Sequence, residues 1–340
     1  AWGRLSDRVG RKPIIITGLV GYTLGTLAFT SVFYAGLSGL LGGAALYGIL
    51  LLARCSQSVI MSATNPASTA YAADHTSREQ RTATMARLGT ANSMGTILGP
   101  AVSGALATFG LLAPLYFAAV IAALAALLVW RQLPVIREQD RTNRKITSRL
   151  RFTDRRIFMF LTTAVGLFVG FSGILQTLGF QLQDKLGLNG IETAQLTGAA
   201  LMVSAAFTFV IQVTVMQRMT LRASLFIRLG LLSLFIGAIV IASFNTFAVL
   251  AVGMAFMGTG LGLCMPAIAA GASLAVSPSE QGAAAGLVSA CPAIGFVAGP
   301  VSAGALYQID SSLAPLFSAT IFMTVLLVLV WHEHRSRACK

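Results

Sequence analysis

The sequence predicts an all-α membrane protein made of two related helical bundles. Three observations carry this reading: an apolar composition, recurring stretches long enough to cross a bilayer, and an internal repeat. Of 340 residues, 56% are apolar and only 10% charged, with a mean hydropathy of +0.78. That leaves too little polar surface for a water-soluble globule. The 34 glycines follow no collagen period and there are only 10 prolines. Fibre and disorder are therefore excluded, because such a chain has ample apolar area to bury.

A helix needs about 20 mostly apolar residues to cross the hydrocarbon core. Polar and glycine-rich punctuation divides the chain into ten such stretches, 13–34, 42–72, 83–107, 111–131, 157–182, 193–216, 223–243, 246–275, 282–306 and 312–331. Their connectors alternate in charge. Arg4, Arg8, Arg11 and Lys12 precede the first stretch, Arg78 and Arg81 follow the second, Arg218, Arg222 and Arg228 surround the sixth junction, and Arg335, Arg337 and Lys340 end the chain. The intervening turns near 35–41, 108–110, 244–245 and 307–311 hold no Lys or Arg, and Lys185 stands alone in its loop. The positive-inside rule then places both ends of the chain in the cytoplasm, in a bacterial-type inner membrane. The net charge of +13 is thus topological, and a nucleic-acid partner is not expected.

Residues 131–156 hold nine basic and three acidic residues and read as a cytoplasmic linker lying on anionic lipid. The expected organisation is a first bundle over 1–130, this linker, a second bundle over 157–331 and a cytoplasmic tail over 332–340. An internal repeat supports it. Gly95, Gly99, Pro100, Gly104, Ala105 and Leu106 recur, displaced by 200 residues, as Gly295, Gly299, Pro300, Gly304, Ala305 and Leu306, and Pro66-Ala67 recurs as Pro266-Ala267. Two bundles of one repeated unit follow. In that register the first unit would begin about 45 residues before Ala1, so two helices are expected to precede this sequence.

Several weaker patterns point to no chemistry. Cys55, Cys264, Cys291 and Cys339 form neither a CxxC pair nor a disulfide framework. Gly258, Gly260 and Gly262 lack the preceding strand of a phosphate loop and read as packing glycines. His332, His334 and Cys339 lack the fourth ligand of a structural metal site. No metal and no cofactor are expected.

Three motifs carry a family likeness. The segment from Gly3 to Pro13 resembles the loop between the second and third helices of the major facilitator superfamily, with Gly3, Leu5, Asp7, Arg8, Gly10, Arg11 and Lys12 at the family's spacing. The resemblance implies that Asp7 meets the region Gln281 to Gly286 when the cytoplasmic gate closes, at a helix N-terminus that favours an anion. It also implies that Arg8 or Arg11 pairs with Asp74. A loop that only sets topology is the alternative.

Arg54 and Gln57 resemble the family's fourth-helix motif, with Ser58 where the family has glycine. An arginine within an apolar span costs about 2.5–3.5 kcal/mol on insertion scales, so it should face a bundle interior or wet cavity and find a partner. The resemblance implies a part in proton coupling; an arginine reaching backbone carbonyls for structural reasons is the alternative. Gly95, Gly99, Pro100 and Gly104 are similar to the fifth-helix signature of the family's antiporters, with Ala86 and Ser103 replacing two of its glycines. The repeat copy, Gly286, Gly295, Gly299, Pro300, Ala303 and Gly304, fits the same spacing. Small residues four apart let helices approach, and proline bends them. Two such helices at a seam between bundles would rock; ordinary packing is the other reading.

Together these likenesses run from the family's third to its twelfth helix. They imply a major facilitator fold, two pseudo-symmetric six-helix bundles with ten helices present here, closest to the drug/proton antiporter branch. In that fold the fourth, seventh and tenth helices line a central path, which nominates Arg54, Gln57 and Met61, then Phe171, Gln176 and Phe180, then Phe256, Met257 and Met265. Pliable methionines among aromatics suit an adaptable apolar ligand, although lipid-facing or core positions would also explain them. All eleven carboxylates lie in or beside loops, so either a preceding helix supplies the proton carrier or transport is not proton-driven.

The expected function is secondary active transport, proton-coupled efflux of small amphipathic or drug-like compounds by alternating access. A facilitator or symporter of a metabolite ranks second, and a non-transporting sensor is more distant. An intramembrane enzyme would need clustered ligands or nucleophiles at depth, whereas His75, His332 and His334 all fall outside the spans. The expected partners are a small-molecule substrate, protons and lipid, with the chain a monomer.

Overall fold

The computed structural model describes residues 2, 5, 9–74, 91, 95, 99, 102–134, 150–215, 223–277 and 280–338. Among the described residues no strand forms, and nine helices are long and apolar enough to cross a membrane. The chain splits into two compact units, Ala1–Arg144 and Lys145–Lys340.

In the first unit α1 (Arg11–Leu37) is the hub, packing against α2 (Gly43–Met61), α3 (Thr64–Asp74) and α4 (Ala113–Gln132). Gly10 precedes α1 at φ 109°, a left-handed conformation that a side chain would strain. Ile14, Ile15, Ala63 and Ala67 form a small core, flanked by Trp2, Leu19, Tyr71, Val129 and Leu133. Trp2 Nε1 donates to the Val59 carbonyl at 2.8 Å. The span expected over 42–72 is two helices, with Ser62 and Ala63 in a turn between them. Pro66 has no N–H to give the Ser62 carbonyl and its ring crowds that oxygen. The expected span 83–107 falls largely outside the described residues. Its end, 102–106, is helical and runs into a 3-10 turn at Ala107–Phe109.

The second unit contains α5 (Phe158–Leu186), α6 (Gly190–Thr214), α7 (Ala223–Ala242), α8 (Phe247–Leu274), α9 (Gln281–Tyr307) and α10 (Leu313–Ala338). Gly187 ends α5 at φ 66°, and Asn189 with Glu192 forms a capping box that starts α6. Helix α8 lies between α6 and α7, while α5 packs against α9 and α10. Glycines set the α7–α8 spacing. A Cβ on Gly237 would stand 2.9 Å from the Gly253 carbonyl, and one on Gly260 2.7 Å from the Gly230 carbonyl. On its other side α8 seats Gly258 against the Ser204 backbone and Gly262 against Thr208 and Ile211. The triplet Gly258, Gly260 and Gly262 therefore serves packing on two faces of one helix.

At the end of the expected linker Leu150 and Phe152 pack on the second unit's core, and Ile157, the first residue of the expected second bundle, is fully buried. Apolar side chains spaced through the basic run pull its end onto the protein. The tail from residue 332 continues α10 as helix to Ala338, with Arg335 stacked 4.3 Å from the Trp331 ring centroid.

Candidate transport site

Among the described residues of the first unit, a polar network joins α1 and α2, with Gln57 buried and Arg54 exposed. Gly18, Gly21 and Gly25 line one face of α1, and a Cβ on any of them would run into Thr64, Ile60 or Gln57 respectively. Without side chains on that face, α2 comes close enough for Gln57 to reach α1. Gln57 is 2% exposed and its amide is saturated. Nε2 donates to Thr26 Oγ1 at 2.6 Å and to the Tyr22 carbonyl at 3.3 Å, while Oε1 accepts from Arg54 Nη1 at 2.8 Å. The Arg54 guanidinium also lies 5.6 Å from the Phe29 ring centroid, which stacks on Phe33.

This arrangement aims the Arg54 guanidinium. The Tyr22 carbonyl can only accept, so it fixes the Gln57 Nε2 on its side and turns the amide oxygen to the guanidinium. Among the described residues the partners of Arg54, an amide and an aromatic ring, carry no net charge. Arg54 and Gln57 are thus brought together; the fourth-helix motif nominated both residues but not their contact. Thr26, Phe29 and the three glycines were not anticipated; the spacing of Gly18, Gly21 and Gly25 was the available signal.

The other nominated residues scatter. Met61, Gln176, Phe180 and Phe256 are exposed, with Phe180 tilted against Tyr307 at 6.1 Å between centroids. Phe171 and Met265 are half-buried against the second unit's core. Met257 is corrected: it is fully buried in that core, so a ligand could touch it only by unpacking the helices. Two open apolar grooves on the first unit, of about 550 and 310 Å3, contain none of these residues.

The antiporter-type motif divides between its copies. Gly295 and Gly299 pack within the second unit, where added Cβ atoms would meet Phe168 and Ser172 of α5. Ser172 Oγ donates to the Gly295 carbonyl at 2.8 Å, and a Cβ on Gly173 would sit 3.0 Å from Ala303. These two glycines serve α5–α9 contact, as the ordinary packing reading has it. Among the described residues nothing lies within 4 Å of a Cβ added at Gly286, Gly304, Gly95 or Gly99. Pro300 lies inside α9, and Gly104 is in the short helical end before the 3-10 turn.

Of the gating residues, Gly10 takes its strained turn, Arg11 is buried at 6% exposure, and Lys12 is half-buried in the first turn of α1. Gly3, Asp7, Arg8 and Pro100 lie outside the described residues, and of Asp74 only the backbone at the end of α3 is described.

Beside the entry to α5 and α9 lies an ion-pair node that the sequence did not suggest. Arg156 grips Glu280 with two bonds of 2.9 and 3.0 Å and Asp154 with Nη2 at 2.9 Å. Glu280 also accepts from Ser277 Oγ at 2.7 Å and its N–H at 3.1 Å. Hydrogen bonds from Arg156 and then Ser277 hold the Glu280 carboxyl down at about 2, and Arg156 likewise lowers Asp154.

With the geometry in view, the relatives are informative. Multidrug resistance protein 2 of Bacillus subtilis is 29% identical over 99% of this chain and 83% of its own length. Multidrug resistance protein 1 of the same organism is 28% identical over 97% and 82%. A solved nucleoside transporter, NupG, shares the fold at a TM-score of 0.70 and 13% identity, covering 97% of this chain and 85% of its own. The family model of the Major Facilitator Superfamily matches residues 1–245. By that match and by its helical architecture, this chain belongs to the major facilitator superfamily, as a multi-pass membrane transporter of small molecules rather than an enzyme.

Proposed function

We propose that this protein is a secondary active exporter of small amphipathic or drug-like compounds, driven by proton entry across a bacterial inner membrane. The observation that carries this reading is the alignment, along nearly the whole chain, with two multidrug resistance proteins. The site supports it: an arginine held in an apolar span by a saturated glutamine is costly and has a functional reason to persist there. In this reading Arg54 and Gln57 belong to the coupling and transport path. The bundles 1–130 and 157–331, joined by the linker 131–156, alternate access as a monomer, with the tail 332–340 in the cytoplasm. Asp7, with Arg8, Arg11, Lys12 and Asp74, gates the cytoplasmic side.

The test is flux in proteoliposomes containing the full chain. With an acidic lumen, ethidium accumulates inside, and a protonophore abolishes the accumulation. Equal flux with and without the pH gradient removes the proton coupling, and net movement down the dye gradient alone makes the protein a facilitator. In the same assay Asp7→Asn lowers turnover while leaving dye affinity unchanged; unaltered turnover rejects the gate.

A further inference from the structure

We infer that the groove between α1 and α4 binds one anionic phospholipid, with an acyl chain along the groove and the phosphate at Lys12 and Arg131. The inference rests on the membrane placement and orientation given above and on no part of the transport cycle. The groove, of about 310 Å3, is lined by Ile16, Val20 and Leu24 of α1 and by Ala123, Ala126 and Trp130 of α4. It uses a different face of α1 from Gly18, Gly21 and Gly25, which meet α2. The two alanines give it depth, Ala126 being buried, and the larger side chains form its walls. Thr23 also lines it, but its hydroxyl donates to the Leu19 carbonyl at 3.0 Å, so the lining asks for an apolar occupant.

Length and charge name that occupant. From Ile16 to Leu24 the groove follows α1 for about 12 Å at 1.5 Å per residue, close to one leaflet's share, about 15 Å, of the hydrocarbon core. Ile14 and Ile15 share a core with Val129 and Leu133, so the start of α1 and the end of α4 stand at one level. There Lys12 lies one turn before Ile16 on the same face, and Arg131 follows Trp130 in the last turn of α4. Neither helix carries a carboxylate. Tryptophan beside cations marks the membrane interface, and basic sites between helices on the cytoplasmic side attract anionic headgroups. The second groove on the same pair of helices supplies the contrast. It is larger, about 550 Å3, and lies at their opposite end, beside Tyr34 and Tyr116, where the turns 35–41 and 108–110 hold no Lys or Arg. An apolar groove alone accepts any lipid, whereas cations at the mouth of one groove select an anionic one.

The experiment reads tryptophan quenching in the purified full chain, reconstituted in phosphatidylcholine vesicles that contain dibrominated phosphatidylglycerol or dibrominated phosphatidylcholine. The Trp130 signal is the part of the fluorescence lost in Trp130→Phe. At this site phosphatidylglycerol binds about tenfold tighter than phosphatidylcholine, the preference expected of two interfacial cations. Lys12→Gln combined with Arg131→Gln brings the ratio close to one, and each single change falls between. Ala123→Phe fills the groove and removes the preference with both cations in place, whereas Leu124→Phe, exposed on the same helix but outside the groove, keeps it. A wild type quenched equally by the two lipids overturns the inference. So does a wild-type ratio in the double variant or in Ala123→Phe, since cations that merely gather anionic lipid need no groove. The charge variants leave the groove side chains alone and decide the question where Ala123→Phe does not fold. Neither substrate nor gradient is present, so failure here leaves the ethidium flux untouched, and loss of that flux leaves the lipid ratio standing.

Discussion

Across the 200-residue repeat, the stretch from Gly43 to Asp74 corresponds to the stretch from Ser243 to Leu274, the turn before α8 and α8 itself. Pro66 and Pro266 hold the same place in the two copies, yet the first copy breaks into α2 and α3 while α8 runs through its proline unbroken. Among the described residues, burial differs between the copies as well. Within their apolar spans, 6% of the first copy is buried against 50% of the second. Gly262, opposite Ser62, is clamped against Thr208 and Ile211, so packing holds α8 together across the hydrogen bond that its proline removes. Ser62 is exposed among the described residues.

The side chains have diverged in the same sense. Opposite Arg54 and Gln57 stand Met254 and Met257, which are 2% and 0% exposed. Gln57 and Met257 each lie beside a glycine of the neighbouring helix, Gly25 and Gly237. One copy of the unit thus uses this position for a polar network and the other for core packing. Duplication supplied a scaffold, and at this position only the first copy carries a charge.

The sharpest way to break this comparison is to truncate both halves. Arg54→Ala is expected to abolish gradient-driven flux in proteoliposomes while leaving expression and the melting temperature close to wild type. Met254→Ala is expected to do the reverse, costing about 2 kcal/mol or more through the cavity it leaves, read as a lower melting temperature in detergent with flux per folded molecule retained. Similar effects from the two substitutions would dissolve the distinction between the copies.

The glycine support gives a smaller effect. Gly25→Ala presses on Gln57 and should cost about 1–3 kcal/mol as overpacking, with a matching loss of flux. Gly48→Ala, on the same helix pair but with nothing within 4 Å, should stay within about 0.5 kcal/mol. Equal behaviour would mean that close approach over Gly25 does not hold the site.

The smallest effect concerns the node at Arg156. The Glu280 carboxyl is depressed to about 2, so its contribution is complete above the ordinary carboxylate value and is lost as pH falls through about 2. The melting difference between wild type and Glu280→Gln should therefore hold steady well above the ordinary carboxylate value of 4.5 and shrink only below it. A difference that already disappears near neutral pH would show that Arg156 does not hold this carboxylate.

Much of the fold was legible because a bilayer imposes strong constraints on sequence: long apolar stretches, basic connectors and repeated small-residue motifs each narrow the reading. Arg54 and Gln57 were legible as motif residues, and residues three apart share a helix face, but their contact was not predicted. Thr26 and Phe29 were not legible, because they come from another helix and only the packing of α1 on α2 brings them near. The same holds for Arg156 and Glu280, which are separated by 124 residues.

Composition, spacing and motif alone were enough to put this chain in a membrane, to reveal its repeated unit and to single out Arg54 within an apolar span. Three-dimensional packing was needed to establish which proline breaks a helix, which glycines seat a neighbouring helix, and that Met257 belongs to a core. The physical reason is that composition and periodicity report what a residue prefers to touch, whereas burial depends on which helix arrives beside it.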